Sequence, residues 1–185
     1  ESRGLGDVYK RQITHMHYDH AGTCGAFPNA TFHLQEREMQ YVTGKRMTQD
    51  PFCHAYTCGH VQEMVGYVFD KRVQFHDGDE EIAPGVSVHL IGGHTMGIQS
   101  VRVRTDNGWL VVASDAAHFY ENMEHPSPCP IVYDVGEMVD GFDKLRRLAQ
   151  TPKHVVPGHD PLVLQRYPAP SADLEGIVAR LDVPR

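Results

Sequence analysis

Four cysteines in 185 residues, set at no regular interval, give no disulfide framework. Positive charge is also scarce. Lys and Arg total 17 against 24 for Asp and Glu, and a net charge of −7 excludes the basic surface that a nucleic-acid partner requires. Long apolar runs are missing too. Stretches such as Trp109-Leu110-Val111-Val112-Ala113 fall far short of the roughly 20 residues a membrane helix needs, so no membrane partner is expected. On thiol content alone the cytoplasm is the expected location, since the lack of an apolar leader near the start is uninformative if the natural chain extends upstream. Tandem repeats and low-complexity segments are absent as well. What remains, 41% apolar and 22% charged residues, is the balance of one globular domain.

The opening, Glu1 to Arg11, has no apolar period and resembles translated adaptor sequence. Residues 1–11 are therefore set aside as adaptor-derived or disordered, and the domain is taken as 12–185. Gln12 to Thr14 reads as the end of a strand. Ala30 to Leu34 reads as a short strand before a helix from Gln35 to Val42. Lys45 to Gly59 reads as a loop or lid, with a short helix from Val61 to Tyr67 after it. Strands are expected at Val73 to Phe75, Glu81-Ile82 and Val86 to Ile91. Ser100 to Arg104 and Trp109 to Ala113 form a further pair, joined by Asp106-Asn107-Gly108, a strong hairpin signal. Val135, Met138, Val139, Phe142, Leu145 and Leu148 recur at spacings of three and four, which predicts an amphipathic helix. His154 to Val156 closes the set of strands, and a short helix is expected around Leu174 to Leu181. The order predicts a layered α/β domain with its loops exposed at the strand ends.

What the chain holds in excess is histidine, 13 in all, spread along the sequence rather than gathered in a tract. The densest segment is His15-Met16-His17-Tyr18-Asp19-His20. Alternate residues of an extended chain face the same way, so His15 and His17 can grip one ion together. Past the turn, Asp19 and His20 can reach a second ion beside the first. Three later segments put polar residues at the C-terminal ends of strands, where α/β folds place their sites. These are Gly92-Gly93-His94-Thr95-Met96-Gly97, Ser114-Asp115 and Pro157-Gly158-His159-Asp160.

This ordered set resembles the metallo-β-lactamase superfamily over about Ile13 to Tyr167. The resemblance implies a four-layer αββα sandwich, here lacking its N-terminal strands. By the same resemblance His15, His17 and His94 would hold one metal, Asp19, His20 and His159 a second, and Asp115 would bridge the two. Aspartate rather than cysteine at position 115 disfavours antibiotic hydrolysis, and His17 in place of a carboxylate disfavours di-iron redox chemistry. Imidazole and carboxylate without thiolate suit two Zn²⁺ ions, and Mn²⁺, Fe²⁺ or Co²⁺ also fit such ligands.

Within the superfamily the N-acyl-homoserine lactonases are most similar, through HMHYDHAG (His15 to Gly22), PGVSVHLIGGHTMGIQS (Pro84 to Ser100), SDA (Ser114 to Ala116) and GHD (Gly158 to Asp160). That likeness implies a small-molecule lactone substrate, opened by a hydroxide shared between the metals, with Asp19 passing a proton to the leaving alkoxide. Quorum quenching is the role it suggests. Several such lactonases carry a tyrosine three residues after the bridging aspartate. Here His118 stands there, with Tyr120 two residues on, and either can take over the contact with the substrate carbonyl. Two alternatives stay open: another hydrolase of the fold, acting on an aromatic lactone or a thioester as glyoxalase II does, and an inactive fragment left marginal or aggregation-prone by its missing strands. The oligomeric state is open too, a homodimer included.

The remaining histidines have plainer readings. His33 and His89 are expected as packed or half-exposed strand residues rather than ligands, and His76, His125 and His154 as surface groups or neighbours of the ligands. His54 and His60 flank Cys53 and Cys58, which raises a further zinc site at a spacing that fits no common motif. Met39, Tyr41, Met47, Phe52, Met64 and Tyr67 lie where an acyl-chain pocket or ordinary core packing would use them.

Overall fold

The protein is described by a computed structural model over residues 10–183. Two sheets form the middle of the molecule. The first holds β1 (Lys10–Gln12), β2 (Thr31–Gln35) and β3 (Val73–His76), all parallel, in the order β1-β2-β3. The second holds β4 (Glu80–Ala83), β5 (Val86–Leu90), β6 (Gln99–Thr105), β7 (Gly108–Ser114) and β8 (Val155–Pro157), in sequence order. Neighbours in it are antiparallel until β8, which runs parallel to β7. Parallel neighbours need crossovers, and the intervening helices supply them.

Those helices are α1 (Tyr18–Ala21), α2 (Glu36–Val42), α3 (Asp50–Cys53), α4 (Cys58–Phe69), α5 (Tyr120–Glu124), α6 (Val135–Leu148) and α7 (Val163–Arg166). α2 and α4 cover the first sheet. Tyr41, Val42 and Met64 are buried with Phe32 and Leu34 in one core. α6 covers the second sheet, where Met138, Phe142 and Leu145 pack on Ile98, Val111, Ala113 and Val155. The apolar period predicted this face, and the Asp134 side chain caps the helix by accepting from the Glu137 N–H at 2.8 Å. Val135, counted in the apolar stripe, lies in the first turn and is exposed. The layers are helix, sheet, sheet, helix, as expected.

A polar seam joins the two sheets. Gln35 Nε2 donates to Gln99 Oε1 at 2.9 Å, and Gln99 Nε2 donates to the carbonyls of Ile13 and His33. Both glutamines are fully buried, so each bond is made in a medium where an unpaired amide is costly.

Several boundaries differ from the expected ones. Lys10 and Arg11, assigned to the excluded segment, belong to β1, because ladder bonds to β2 recruit backbone whatever the side chains. The rest of that segment, residues 1–9, lies outside the described residues. The expected loop Lys45 to Gly59 contains a 3₁₀ turn (Lys45–Thr48), α3 and the first turn of α4, which starts at Cys58 rather than Val61. No helix spans Leu174 to Leu181. Only a 3₁₀ turn forms there (Ala172–Leu174), and Gly176, at φ +75, takes a conformation that ends it. No helix among the described residues is long and apolar enough to cross a membrane.

Candidate metal centre

An irregular segment, Ile13 to His17, leaves β1, and α1 begins at Tyr18 after His17, whose backbone is extended. His15 and His17 come from this segment, while Asp19 and His20 occupy the first helical turn. His94 comes from the loop between β5 and β6, Asp115 follows β7, and His159 follows β8. Ligand atoms of His15, His17 and His94 lie within 4.8 Å of one another, and so do those of Asp19, His20 and His159. The structure thus brings together the side chains of each triad that the resemblance implies.

Asp115 sits between them. Its Oδ1 lies 3.2 Å from His20 Nε2, and its Oδ2 lies 3.1 Å from His159 Nε2 and 3.5 Å from His94 Nε2. Two further ligand groups contain it: His15, His20 and Asp115, and His94, Asp115 and His118. The backbone is shaped to hold it there. Ser114 has φ +50, a conformation rare outside glycine, at the point where the chain leaves β7. A Cβ on Gly158 would stand 2.8 Å from the Ser114 carbonyl carbon and 3.0 Å from Asp115 Oδ1, so the Pro157-Gly158-His159 turn can approach only with glycine.

Hydrogen bonds orient the rings. His94 Nδ1–H donates to the Ile131 carbonyl at 2.8 Å, which leaves Nε2 without a proton, aimed into the site 3.1 Å from His17 Nδ1. The Thr14 hydroxyl lies 3.1 Å from His15 Nδ1 and 3.2 Å from His20 Nδ1, and turns both Nε2 atoms inward. The Nε2 of His15 is buried and makes no hydrogen bond, while those of His20 and His118 face carboxylate oxygens only. Such an orphan is expensive unless something else takes the lone pair, and a metal ion is the partner that fits. The donor set of imidazole and carboxylate suits a pair of divalent ions.

The electrostatics agree. Burial first, and neighbouring imidazoles second, push His15 well below the usual histidine range. Burial lowers His17 to about 3 and His94 to about 4. These rings are neutral at pH 7, the form that binds metal. Burial works against the Asp115 carboxylate, but hydrogen bonds from His118 and His20 hold it far below its usual value. Burial likewise opposes a charge on His118, and its bonds to Asp115 and Cys129 overcome that and raise it to about 9.

His118 and Tyr120 part company here. His118 Nε2 reaches Asp115 Oδ2 at 3.1 Å and joins the ligand groups. Tyr120 opens α5, and the helical turn carries its ring to the other side, into the core of the second sheet with Arg166 stacked 3.6 Å over it. Its expected place beside the substrate carbonyl is not where the ring lies.

The further zinc site at Cys53, His54, Cys58 and His60 does not assemble: among the described residues no metal-binding group includes them, and both cysteines are free. The His60 ring instead packs against Gly22. His33 and His89 are buried strand residues as expected. His76, expected at the surface or beside the ligands, is buried because it links His33, at 2.9 Å, to Glu80, at 2.6 Å. The supporting groups Thr14, Glu38, Tyr56 and Ile131 were not anticipated, since no motif marks them.

Fold and donor set together define a class, an αββα domain with a two-metal centre at the strand ends. The chain belongs to the metallo-beta-lactamase superfamily, whose family model matches residues 13–159. An N-acyl homoserine lactonase, AttM, of Rhizobium johnstonii is 31% identical over 159 residues, covering 80% of this chain and 56% of that protein. The N-acyl homoserine lactonase of Bacillus cereus is 28% identical over 149 residues, with 80% and 54% covered. Among solved structures, an N-acyl homoserine lactone hydrolase with N-hexanoyl-L-homoserine at its catalytic metal centre superposes with TM-score 0.66 at 24% identity, over 80% of this chain and 54% of that one. The dizinc quorum-quenching lactonase AidC does so with TM-score 0.66 at 20% identity, over 84% and 58%. The chain spans about half the length of the curated relatives it matches.

Proposed function

We propose that the protein is a zinc-dependent hydrolase that opens the ring of N-acyl-homoserine lactones and so quenches quorum signals. One observation carries the reading: ligand residues from four separate segments converge at one place, in a chain whose curated relatives are N-acyl homoserine lactonases. His15, His17 and His94 would hold the first ion and Asp19, His20 and His159 the second, with Asp115 placed between the two triads. Bound zinc supplies a Lewis acid and a nucleophile available near neutral pH.

The chain's own groups then have defined tasks. Asp19 is half exposed, with Oδ2 3.4 Å from His20 Nε2 and 3.8 Å from His159 Nε2, and its carboxyl can carry a proton to the departing ring oxygen. His118 faces the centre from beside Asp115, where its N–H can donate to the lactone carbonyl oxygen as negative charge develops there. Tyr18 and Phe119, next to His17 and His118 in the chain, are exposed, and an acyl chain could use their apolar surface. Four free thiols support a reducing compartment, the cytoplasm.

Metal content measured together with hydrolysis of a short-chain and a long-chain N-acyl-homoserine lactone, followed by proton release on ring opening, tests the reading. Two zinc equivalents with turnover lost in Asp19→Asn and in His159→Ala is the expected result. Two bound ions with no lactone turnover, but hydrolysis of an aromatic lactone or a thioester, would overturn the substrate. Near-wild-type turnover in either variant would overturn the assigned roles.

A further inference from the structure

Glu38 is a carboxylate buried completely, at 0% exposure, on a helix that supplies no metal ligand. Ionisable residues are almost never buried this deeply unless paired, and no cation contacts this one among the described residues. What it has instead is three hydrogen-bond donors from two loops. Its Oε1 accepts the Met16 N–H at 2.9 Å, and its Oε2 accepts the Thr95 hydroxyl at 2.6 Å and the Gly97 N–H at 3.1 Å. Met16 lies between His15 and His17, and Thr95 follows His94. One carboxyl group thus holds, an oxygen to each, the two loops that carry the first metal triad.

The surroundings are built around this contact. A Cβ on Gly97 would stand 2.1 Å from the Glu38 backbone nitrogen, so only glycine lets that loop come close enough to donate. Tyr56, half-buried beside Glu38, packs edge-on against the His17 ring with centroids 4.5 Å apart. Burial first, and the Glu38 carboxylate second, keep that phenol protonated.

We propose that Glu38 is a positioning residue that sets the separation and aim of His15, His17 and His94, and so tunes affinity at the first ion while leaving the second largely alone. The inference rests on reading those histidines as ligands of one ion. Glutamine at this place can accept through one oxygen only and turns its amide hydrogens toward donors, so one loop must let go.

Titration of metal-free protein with Co²⁺, followed by its visible absorption and by chelator competition, separates the two ions once His94→Ala and His159→Ala are used as spectral references. Glu38→Gln is expected to weaken the first ion about 10- to 100-fold, the range for lost support of a metal ligand, and the second by less than about threefold. Thr95→Val, which keeps volume and loses the hydroxyl, is expected to weaken the first ion in the same direction by roughly tenfold, and Thr95→Ser to restore it. Equal losses at both ions, wild-type affinity in Glu38→Gln, or Thr95→Ser as weak as Thr95→Val would overturn the proposal. Failure of the wild-type chain to bind two ions would instead overturn the reading of the centre itself.

Discussion

The two halves of the molecule contribute to the centre in opposite ways. The first, built on three short parallel strands, gives its ligands from one continuous stretch, His15 to His20, and buries many polar side chains, among them His33, Gln35, Glu38 and His76. The second, built on five strands and the long helix α6, has a largely apolar core and gives its ligands singly, His94, Asp115 and His159, each from a different strand end. Both triads draw on both halves. His94 completes His15 and His17, and His159 completes Asp19 and His20. Each ion would therefore tie the halves together, and the ligands serve the fold as well as the chemistry.

Removing the metals should have the largest effect. At free zinc about 1,000-fold above its dissociation constant, each ion contributes about 4 kcal/mol, on the order of 10 °C in melting temperature for a chain of this size. Melting curves with zinc and with chelator would show it, and coincident curves would break the picture of halves joined by metal. Next comes Phe142→Ala, which empties the apolar core under α6 and is expected to cost about 3–5 kcal/mol in chelated protein by denaturant titration. A single transition that shifts as a whole would show the halves melting together without metal, and two transitions with one unmoved would show them separate. Gln99→Leu leaves the Ile13 and His33 carbonyls and the Gln35 amide without their seam partner, at a cost of roughly 1–3 kcal/mol by the same titration. The smallest change is expected from Asp134→Ala, about 1 kcal/mol for a lost helix cap, confined to the second half and silent in metal binding.

The same contrast explains what could be read from the sequence. The second half announces itself locally: the hairpin turn Asp106-Asn107-Gly108 and the period of Met138, Phe142 and Leu145 each lie within one element, and both formed where expected. The first half depends on contacts between distant segments. α4 began three residues early, and the expected lid held short helices that no period marks. The candidate ligands were legible because four of them sit in one six-residue stretch and the other three at strand ends, His94 and His159 directly after glycine. Their supports were not. Glu38 meets Thr95 and Gly97 across 57 and 59 residues, and a glutamate in a polar run beside Glu36 and Arg37 looks like a solvated helix face. Tyr120 misled for a related reason. Two residues beyond His118 would face the same way on a strand, but α5 starts there and turns the ring into the core.

The most direct test of a two-metal centre shared across the halves is zinc stoichiometry, measured by elemental analysis, in the wild-type chain and in His94→Ala and His159→Ala. Two equivalents in the wild type and one in each variant are predicted. A folded wild type with no zinc, or variants that each keep both ions, would contradict it.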